Sequence, residues 1–165
     1  MAEQRNHNPR VGGSSPSAAS LMDKSFERRL PKTPREAIQE AKRFYKNAKD
    51  ILKKAPIRND VYQDTKPVRE ASALGYLSCI FAIDSYLLSK GTKPNELPAK
   101  VEEYMKALKK VPHNGKLIDS YIVVYQNLHI LGYYRGGVGV GMIKEGFKHA
   151  KLIIDTFAKL FGDKR

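Results

Sequence analysis

The feature that most constrains the fold is a long apolar stretch at residues 68–89, VREASALGYLSCIFAIDSYLLS. Its small residues recur at steps of four and three, which places them along one side of an α-helix; they are Ala71, Gly75, Ser78, Ala82 and Ser85. A helix that is apolar on nearly every face is usually buried at the centre of a domain. We therefore expect residues 68–89 to form the core helix of a small bundle.

The first helix has a clear start signal. Thr33 suits the N-cap, Pro34 suits the first helical position, and Glu36 completes a capping box. Apolar residues at helical spacing give the expected buried stripe, which consists of Ala37, Ala41, Phe44, Ala48, Ile51 or Leu52, and Ala55. Lysines recur on another face, and we interpret them as a solvated surface; they are Lys42, Lys46, Lys49 and Lys53.

The rest of the chain predicts further helices and no strand. A polar connection is expected at residues 57–66, and Gly91 is expected at the C′ position after the core helix. Helices are predicted over residues 99–111, 116–135 and 142–161, and the last two are joined by a glycine turn, GGVGVG, at residues 136–141. The long helix has five expected core positions, namely Leu117, Tyr121, Val124, Leu128 and Leu131. The predicted fold class is all-α, an antiparallel four-helix bundle with one additional short helix.

The predicted domain covers residues 34–165, and residues 1–33 are expected to be a disordered segment because they lack apolar periodicity. The string Gly13-Ser14-Ser15-Pro16 is also what one reading frame of the closing arm of most transfer-RNA genes encodes. We therefore expect a mis-assigned start, with natural translation beginning at Met22, and we assign residues 1–33 no function.

The charge of the chain favours anionic partners. Lysine and arginine number 30 against 17 acidic residues, which gives a formal net charge of +13. Such a balance is typical of proteins that bind RNA, DNA or acidic proteins. Residues 34–165 hold 18 lysines and only 6 arginines, however, and arginine is the better ligand for a phosphate group. A lysine-rich solubilising surface is therefore an equally weighted interpretation.

Composition also indicates a cytoplasmic protein. The N-terminus has no apolar segment of the signal-peptide type, and no apolar run approaches the ~20 residues that span a bilayer, so no membrane association is expected. The single cysteine, Cys79, is expected to be a small buried apolar residue. Neither the histidines nor Cys79 has the spacing of metal ligands, and we expect no metal and no cofactor.

The candidate ligand-binding residues flank the glycine turn. An aromatic residue recurs every four positions before the turn, and cationic residues follow it, so the set is predicted to line a cleft with stacking walls and phosphate contacts. The predicted set is Tyr121, Tyr125, His129, Tyr133, Arg135, Lys144, Lys148 and His149. His129 and His149 are expected at comparable heights on antiparallel helices. The alternative, which we weight higher, is that the tyrosines fill the rim of the bundle with their hydroxyls in water.

The glycine turn and Asp84 can each be interpreted either as a structural feature or as a chemical site. The glycine turn precedes a helix and suits an anion, but it lacks the lysine and the preceding strand of a P-loop, so a tight hairpin is favoured. Asp84 lies deep in the apolar helix and needs a partner, which we expect to be a tyrosine hydroxyl or a basic side chain. No catalytic residue is predicted.

Several segments resemble a group of short, uncharacterised bacterial helical proteins. They are residues 33–38 (TPREAI), 40–43 (EAKR), 47–49 (NAK), 82–87 (AIDSYL), 127–129 (NLH), 132–133 (GY), 145–146 (EG) and 150–151 (AK). That group is in turn similar to the wider HEPN class of four-helix bundles, which are often linked to nucleotides, RNA and toxin–antitoxin systems. The resemblance implies a HEPN-like bundle.

Ribonucleolytic HEPN proteins carry an arginine, four to six residues, and then a histidine. The nearest match here is Lys144 with His149, where lysine replaces the arginine. We therefore expect a non-enzymatic binding module for RNA or nucleotide. The alternatives are an antitoxin-like interaction module with a partner encoded nearby or a second copy as a homodimer, and a degenerate ribonuclease that uses His149.

Overall fold

The computed structural model describes residues 30–162, and within that range the chain is mainly helical. The elements, in chain order, are α1 (Pro34–Leu52), β1 (Ile57–Arg58), β2 (Val61–Tyr62), α2 (Thr65–Ser89), a 3-10 turn (Pro94–Glu96), α3 (Val101–Lys109), α4 (Gly115–Val124), a π-helix (Tyr125–Tyr134) that continues α4, α5 (Val140–Ala158) and a 3-10 turn (Lys159–Phe161). The all-α class is confirmed. The expectations for residues 1–29 lie outside the described residues.

α1 starts where the sequence predicts. The Thr33 hydroxyl accepts a hydrogen bond of 3.1 Å from the Glu36 N–H, which satisfies one free N–H of the first turn. The Glu36 carboxylate accepts from the Lys32 N–H at 2.9 Å, not from the Thr33 N–H, so the predicted capping box is only half formed. The predicted stripe is buried or half-buried along its whole length, but α1 ends at Leu52, before the predicted end at Pro56.

α2 is the central helix, as predicted, and it packs against α1, α5 and the π-helix. All five small residues of the ridge are buried. A Cβ atom on Gly75 would lie 2.8 Å from Phe147 Cε1 and 2.9 Å from Leu128 Cδ1, so this glycine allows α5 and the π-helix to pack closely on α2. Gly91 has a φ of +94° and its N–H donates to the Leu88 carbonyl, which confirms the predicted C′ position.

The predicted long helix over residues 116–135 is present, but its second half is a π-helix. The Arg135 N–H donates to the Ile130 carbonyl at 2.8 Å, an i to i+5 bond that widens the turn. The wider turn changes which side chain faces inward. Leu131, a predicted core residue, is 40% exposed, and Gly132 is buried in its place.

The prediction that the chain has no strand was wrong, because residues 57–62 form a small antiparallel hairpin. In it Ile57 pairs with Tyr62, and Arg58 pairs with Val61. Asn59 and Asp60 have φ values of 50° and 58°, as a two-residue hairpin turn of type I′ requires. The hairpin also pairs with the glycine turn, since the Tyr62 N–H donates to the Val138 carbonyl at 2.9 Å.

By length and composition, one described helix, α2 at Thr65–Ser89, is apolar enough to cross a membrane, with a mean hydropathy of 1.4 over its best window. The expectation that no run approaches this length was therefore wrong. Of that window, 56% is buried inside the protein, and the core helix of a soluble protein meets the same criterion.

Candidate functional site

An aromatic row runs along one side of the α4–π helix. Tyr125, His129 and Tyr133 follow one another at centroid distances of 5.4 and 6.0 Å, with interplanar angles of 30° and 29°. Tyr76 of α2 stacks on His129 at 4.4 Å. The row becomes more open toward its end, because Tyr125 and His129 are half-buried and Tyr133 is 45% exposed. This is the drift from core to flank that the four-residue spacing predicts.

A groove of about 430 Å³ adjoins the row between α3 and the α4–π helix. Tyr125 forms part of its wall, Met105 and Ile122 add apolar surface, and Lys106 and Lys109 bring positive charge. A planar ring on Tyr125 would therefore have two ammonium groups at the same groove, which suits a base with its phosphate. One carboxylate, Glu102, also lines the groove.

Tyr121 supports the floor of this groove. It lines the groove, yet its exposed fraction is 0%. The prediction that Tyr121 contacts a ligand is therefore wrong. Its ring lies 6.5 Å from that of Tyr104. Its hydroxyl has no hydrogen-bond partner of acceptable geometry within the described residues. Burial, with the neighbouring Tyr76, raises the pKa of Tyr121.

Burial also sets the protonation of the row. It lowers the pKa of the His129 imidazole, and it raises the pKa of the Tyr76 hydroxyl. The neutral forms of His129 and Tyr76 are therefore favoured, and the positive charge at the groove comes from Lys106 and Lys109.

The predicted residues of α5 do not join the row. The Asn127 amide donates to the Met142 carbonyl at 3.0 Å, and His149 bonds to Ser120 at 2.9 Å. In this antiparallel register His149 lies beside Ser120, and Ser120 is nine residues before His129 on the neighbouring helix. The expectation that His129 and His149 lie at comparable heights was therefore wrong. Residues 138–140, which connect the two helices, pair with the hairpin through backbone hydrogen bonds.

The remaining cations of the predicted set, Arg135, Lys144 and Lys148, are exposed. Arg135 lies over the Tyr134 ring at 5.6 Å, and Lys148 pairs with Glu145 at 3.5 Å. Lys144 is exposed on α5. Within residues 30–162 no ring contact or hydrogen bond joins Lys144, Lys148 or His149 to the aromatic row.

His149 stands in a chain of three polar groups. Its Nδ1 is 2.9 Å from the Ser120 hydroxyl, and its Nε2 is 3.0 Å from Glu145 Oε1. The His149 bond, together with Lys148, lowers the pKa of Glu145. These are the group types of a hydrolase triad, but Ser120 is only 1% exposed, so no substrate carbonyl reaches its hydroxyl. The hydrogen bond between His149 and Ser120 instead holds α5 against α4.

The other sequence features have structural partners. Asp84 accepts a hydrogen bond from the Tyr104 hydroxyl at 2.9 Å, which confirms the expected tyrosine partner, and Cys79 is buried as expected. The lysine stripe of α1 is partly neutralised, since Lys46 and Lys53 both pair with Asp50. Among residues 30–162, no three or more His, Cys, Asp or Glu side chains group closely enough to hold a metal ion.

Sequence reasoning missed three residues of this site. Tyr76 lies within the long apolar helix, and the sequence pattern does not distinguish a tyrosine there from a core residue. Lys106 and Lys109 are three positions apart on α3, so they share a face, but the sequence does not show which helix that face meets.

Comparisons with known proteins give a family and a fold. No curated protein matches the chain. A solved structure described as a protein of unknown function from Dyadobacter fermentans is 33% identical, with a TM-score of 0.66; the match covers 77% of this chain and 98% of that one. The model of the family described as "Domain of unknown function (DUF5618)" matches residues 36–159. The chain belongs to this uncharacterised family.

Proposed function

We propose that this protein is a non-enzymatic binding module that holds single-stranded RNA or a nucleotide on the aromatic row. The observation that carries the proposal is the groove beside Tyr125, where a stacking surface adjoins Lys106 and Lys109. Bases stack on aromatic side chains with little dependence on sequence, and lysines neutralise the phosphates. The net charge of +13 supports the same class of ligand.

Two adjacent tyrosines provide a matched test. Tyr133 belongs to the row, whereas Tyr134 is 67% exposed and stacks with Arg135. Fluorescence anisotropy with a labelled ten-nucleotide oligouridine would measure binding. We expect Tyr133→Ala to weaken binding roughly tenfold, because one stacked base is lost, and Tyr134→Ala to change it little. Equal effects of the two variants, or no binding by the wild type, would contradict the proposal.

A second candidate is an antitoxin-like interaction module, as a homodimer or with a partner encoded nearby. The observation in its favour is that the α4–π helix exposes large apolar side chains, among them Ile122, Leu131 and Tyr134. Salt separates the two candidates, since nucleic-acid binding weakens steeply with ionic strength and an apolar interface does not. Co-purification from the native host at moderate salt would recover either salt-labile RNA or a stoichiometric protein.

We also propose the finer fold and the cellular setting. The long helices α1, α2, α4–π and α5 suit an antiparallel four-helix bundle of the HEPN-like type, with α3 as the additional short helix. The absence of enzymatic activity is supported by His149, because both of its ring nitrogens already have partners within the protein. A basic protein with one buried cysteine suits the cytoplasm, without membrane association.

A further inference from the structure

A second cavity, of about 620 Å³, lies at the opposite end of the helices from the hairpin. Its walls come from the end of α2, the link between α3 and α4, and the end of α5. This volume falls in the range of small-molecule sites. The cavity does not include any residue of the aromatic row.

The floor of this cavity is apolar and partly aromatic. Phe157 is buried, and the Tyr86 ring packs on it at a centroid distance of 5.2 Å. Leu160, at the rim, is 56% exposed, so an apolar surface is open to a ligand. An aromatic or aliphatic group of a ligand would gain free energy by covering these side chains.

No acidic side chain lines the cavity, and its two charged side chains are the lysines Lys90 and Lys116. Lys90, His113 and Lys116 line it, and none of the eleven lining residues is acidic. Each of the other three cavities named here contains a carboxylate: the groove beside Tyr125 has Glu102, a cavity at Lys42 and Lys151 has Asp155, and a cavity at residues 95–103 has Glu96 and Glu103. The second cavity is thus distinguished by two lysines and no acidic lining residue.

The N-terminus of α4, where Lys116 lies, adds to the positive electrostatic potential at the cavity. Lys116 lies in the first turn of α4, where the helix dipole disfavours a cation, and that turn has no acidic residue. Lys90 lies over the Tyr86 ring, with its Nζ 5.5 Å from the ring centroid, so its ammonium group adjoins the aromatic floor. An anion attached to an apolar body would meet the lysines and the floor together.

We propose that this cavity binds a small organic anion, with an aromatic or aliphatic body on Tyr86, Phe157 and Leu160 and one phosphate or carboxylate group between Lys90 and Lys116. The proposal is independent of the aromatic row and would stand if the row bound nothing.

Isothermal titration calorimetry of the full chain with 1-naphthyl phosphate tests it. We expect saturable binding at one site, and a roughly tenfold higher Kd for Lys90→Gln and for Lys116→Gln, because each removes one charge-assisted contact. Leu160→Glu, which places an acid at the rim, should abolish binding. Neutral 1-naphthol and inorganic phosphate, which each lack one half of the ligand, should bind at least about tenfold more weakly.

The matched control is Lys66→Gln, which removes the same charge from the other end of α2 and should leave the Kd unchanged. All four substitutions are at exposed residues, and circular dichroism would check that the helices are retained. The proposal is overturned by absence of saturable binding, by equal affinity for 1-naphthol or inorganic phosphate, or by a Kd that Lys90→Gln and Lys116→Gln do not change more than Lys66→Gln does.

Discussion

The Tyr104 hydroxyl donates a hydrogen bond to Asp84 Oδ1 across 2.9 Å, and this bond joins α3 to the central helix α2. Both side chains are buried. Burial raises the pKa of the Asp84 carboxyl to about 7, and burial together with Asp84 raises the pKa of the Tyr104 hydroxyl. Among the described residues, the core therefore contains a carboxyl group whose burial favours its protonated form.

Asp84→Asn should change how stability depends on pH. The native carboxyl keeps its proton up to about pH 7, whereas the unfolded chain releases it near pH 4, so native stability falls as pH rises from about 4 to about 7. The variant keeps an acceptor for Tyr104 and loses this titration. We expect it to be more stable than the wild type at pH 8, by up to about 4 kcal/mol. Urea unfolding at pH 5 and pH 8 measures both proteins, and a variant that is less stable at pH 8 would refute the assignment.

Gly132→Ala should destabilise the fold. A Cβ at this position would press on the Ser72 side chain and lie 2.9 Å from Ile143 Cδ1. We expect a loss of about 1–3 kcal/mol in the free energy of unfolding, as for other overpacked sites. Gly141→Ala is the matched control: it has no neighbour within 4 Å and lies in the first turn of α5, so we expect a change of less than about 0.5 kcal/mol. Denaturant unfolding compares the two, and equal effects would contradict the close approach at Gly132.

His149→Ala should lower stability without removing any activity. The substitution leaves the buried Ser120 hydroxyl without its partner, which costs about 1–3 kcal/mol. His113→Asn is the control, because His113 is exposed and its φ of 54° is one that asparagine tolerates. Thermal unfolding measures stability, and a gel assay with single-stranded RNA measures cleavage. Cleavage by the wild type that is lost in His149→Ala and kept in His113→Asn would instead support a ribonuclease.

The salt dependence of RNA binding should show whether Lys106 and Lys109 contact phosphate groups. If Lys106 and Lys109 each contact one phosphate, the double substitution to glutamine should reduce the slope of log K against log salt by about 1.4, since a single strand contributes about 0.7 per contact. Lys66→Gln should leave the slope unchanged. Anisotropy titrations between 50 and 200 mM salt measure this, and an unaltered slope in the double variant would place the phosphates elsewhere.

The helices were predictable because their positions follow from periodicity and local signals. Thr33 and Gly91 mark helix ends through interactions within a few residues, which a sequence reveals directly. The hairpin had a local signal too, the Asn59-Asp60 turn, but its two-residue strands are too short to show alternation. The π-helix has no such signal, because a spacing of four between tyrosines fits an α-helix and a π-helix almost equally.

The candidate site was predictable only along one helix. The row formed by Tyr125, His129 and Tyr133 follows from their spacing. Tyr76 joins it through packing between helices, and His149 is separated from it by the register of α5. Both depend on how segments that are distant in the sequence pack together, as does the pairing of residues 138–140 with the hairpin.

The pairing of Val61 with Gly139 makes the two ends of the molecule unequal. At one end, backbone hydrogen bonds join two connections that are far apart in sequence. The opposite end, with Lys90, His113 and Leu160, has no such cross-link among the described residues. Amide hydrogens should therefore exchange with deuterium first at that end, in openings that leave the hairpin end closed.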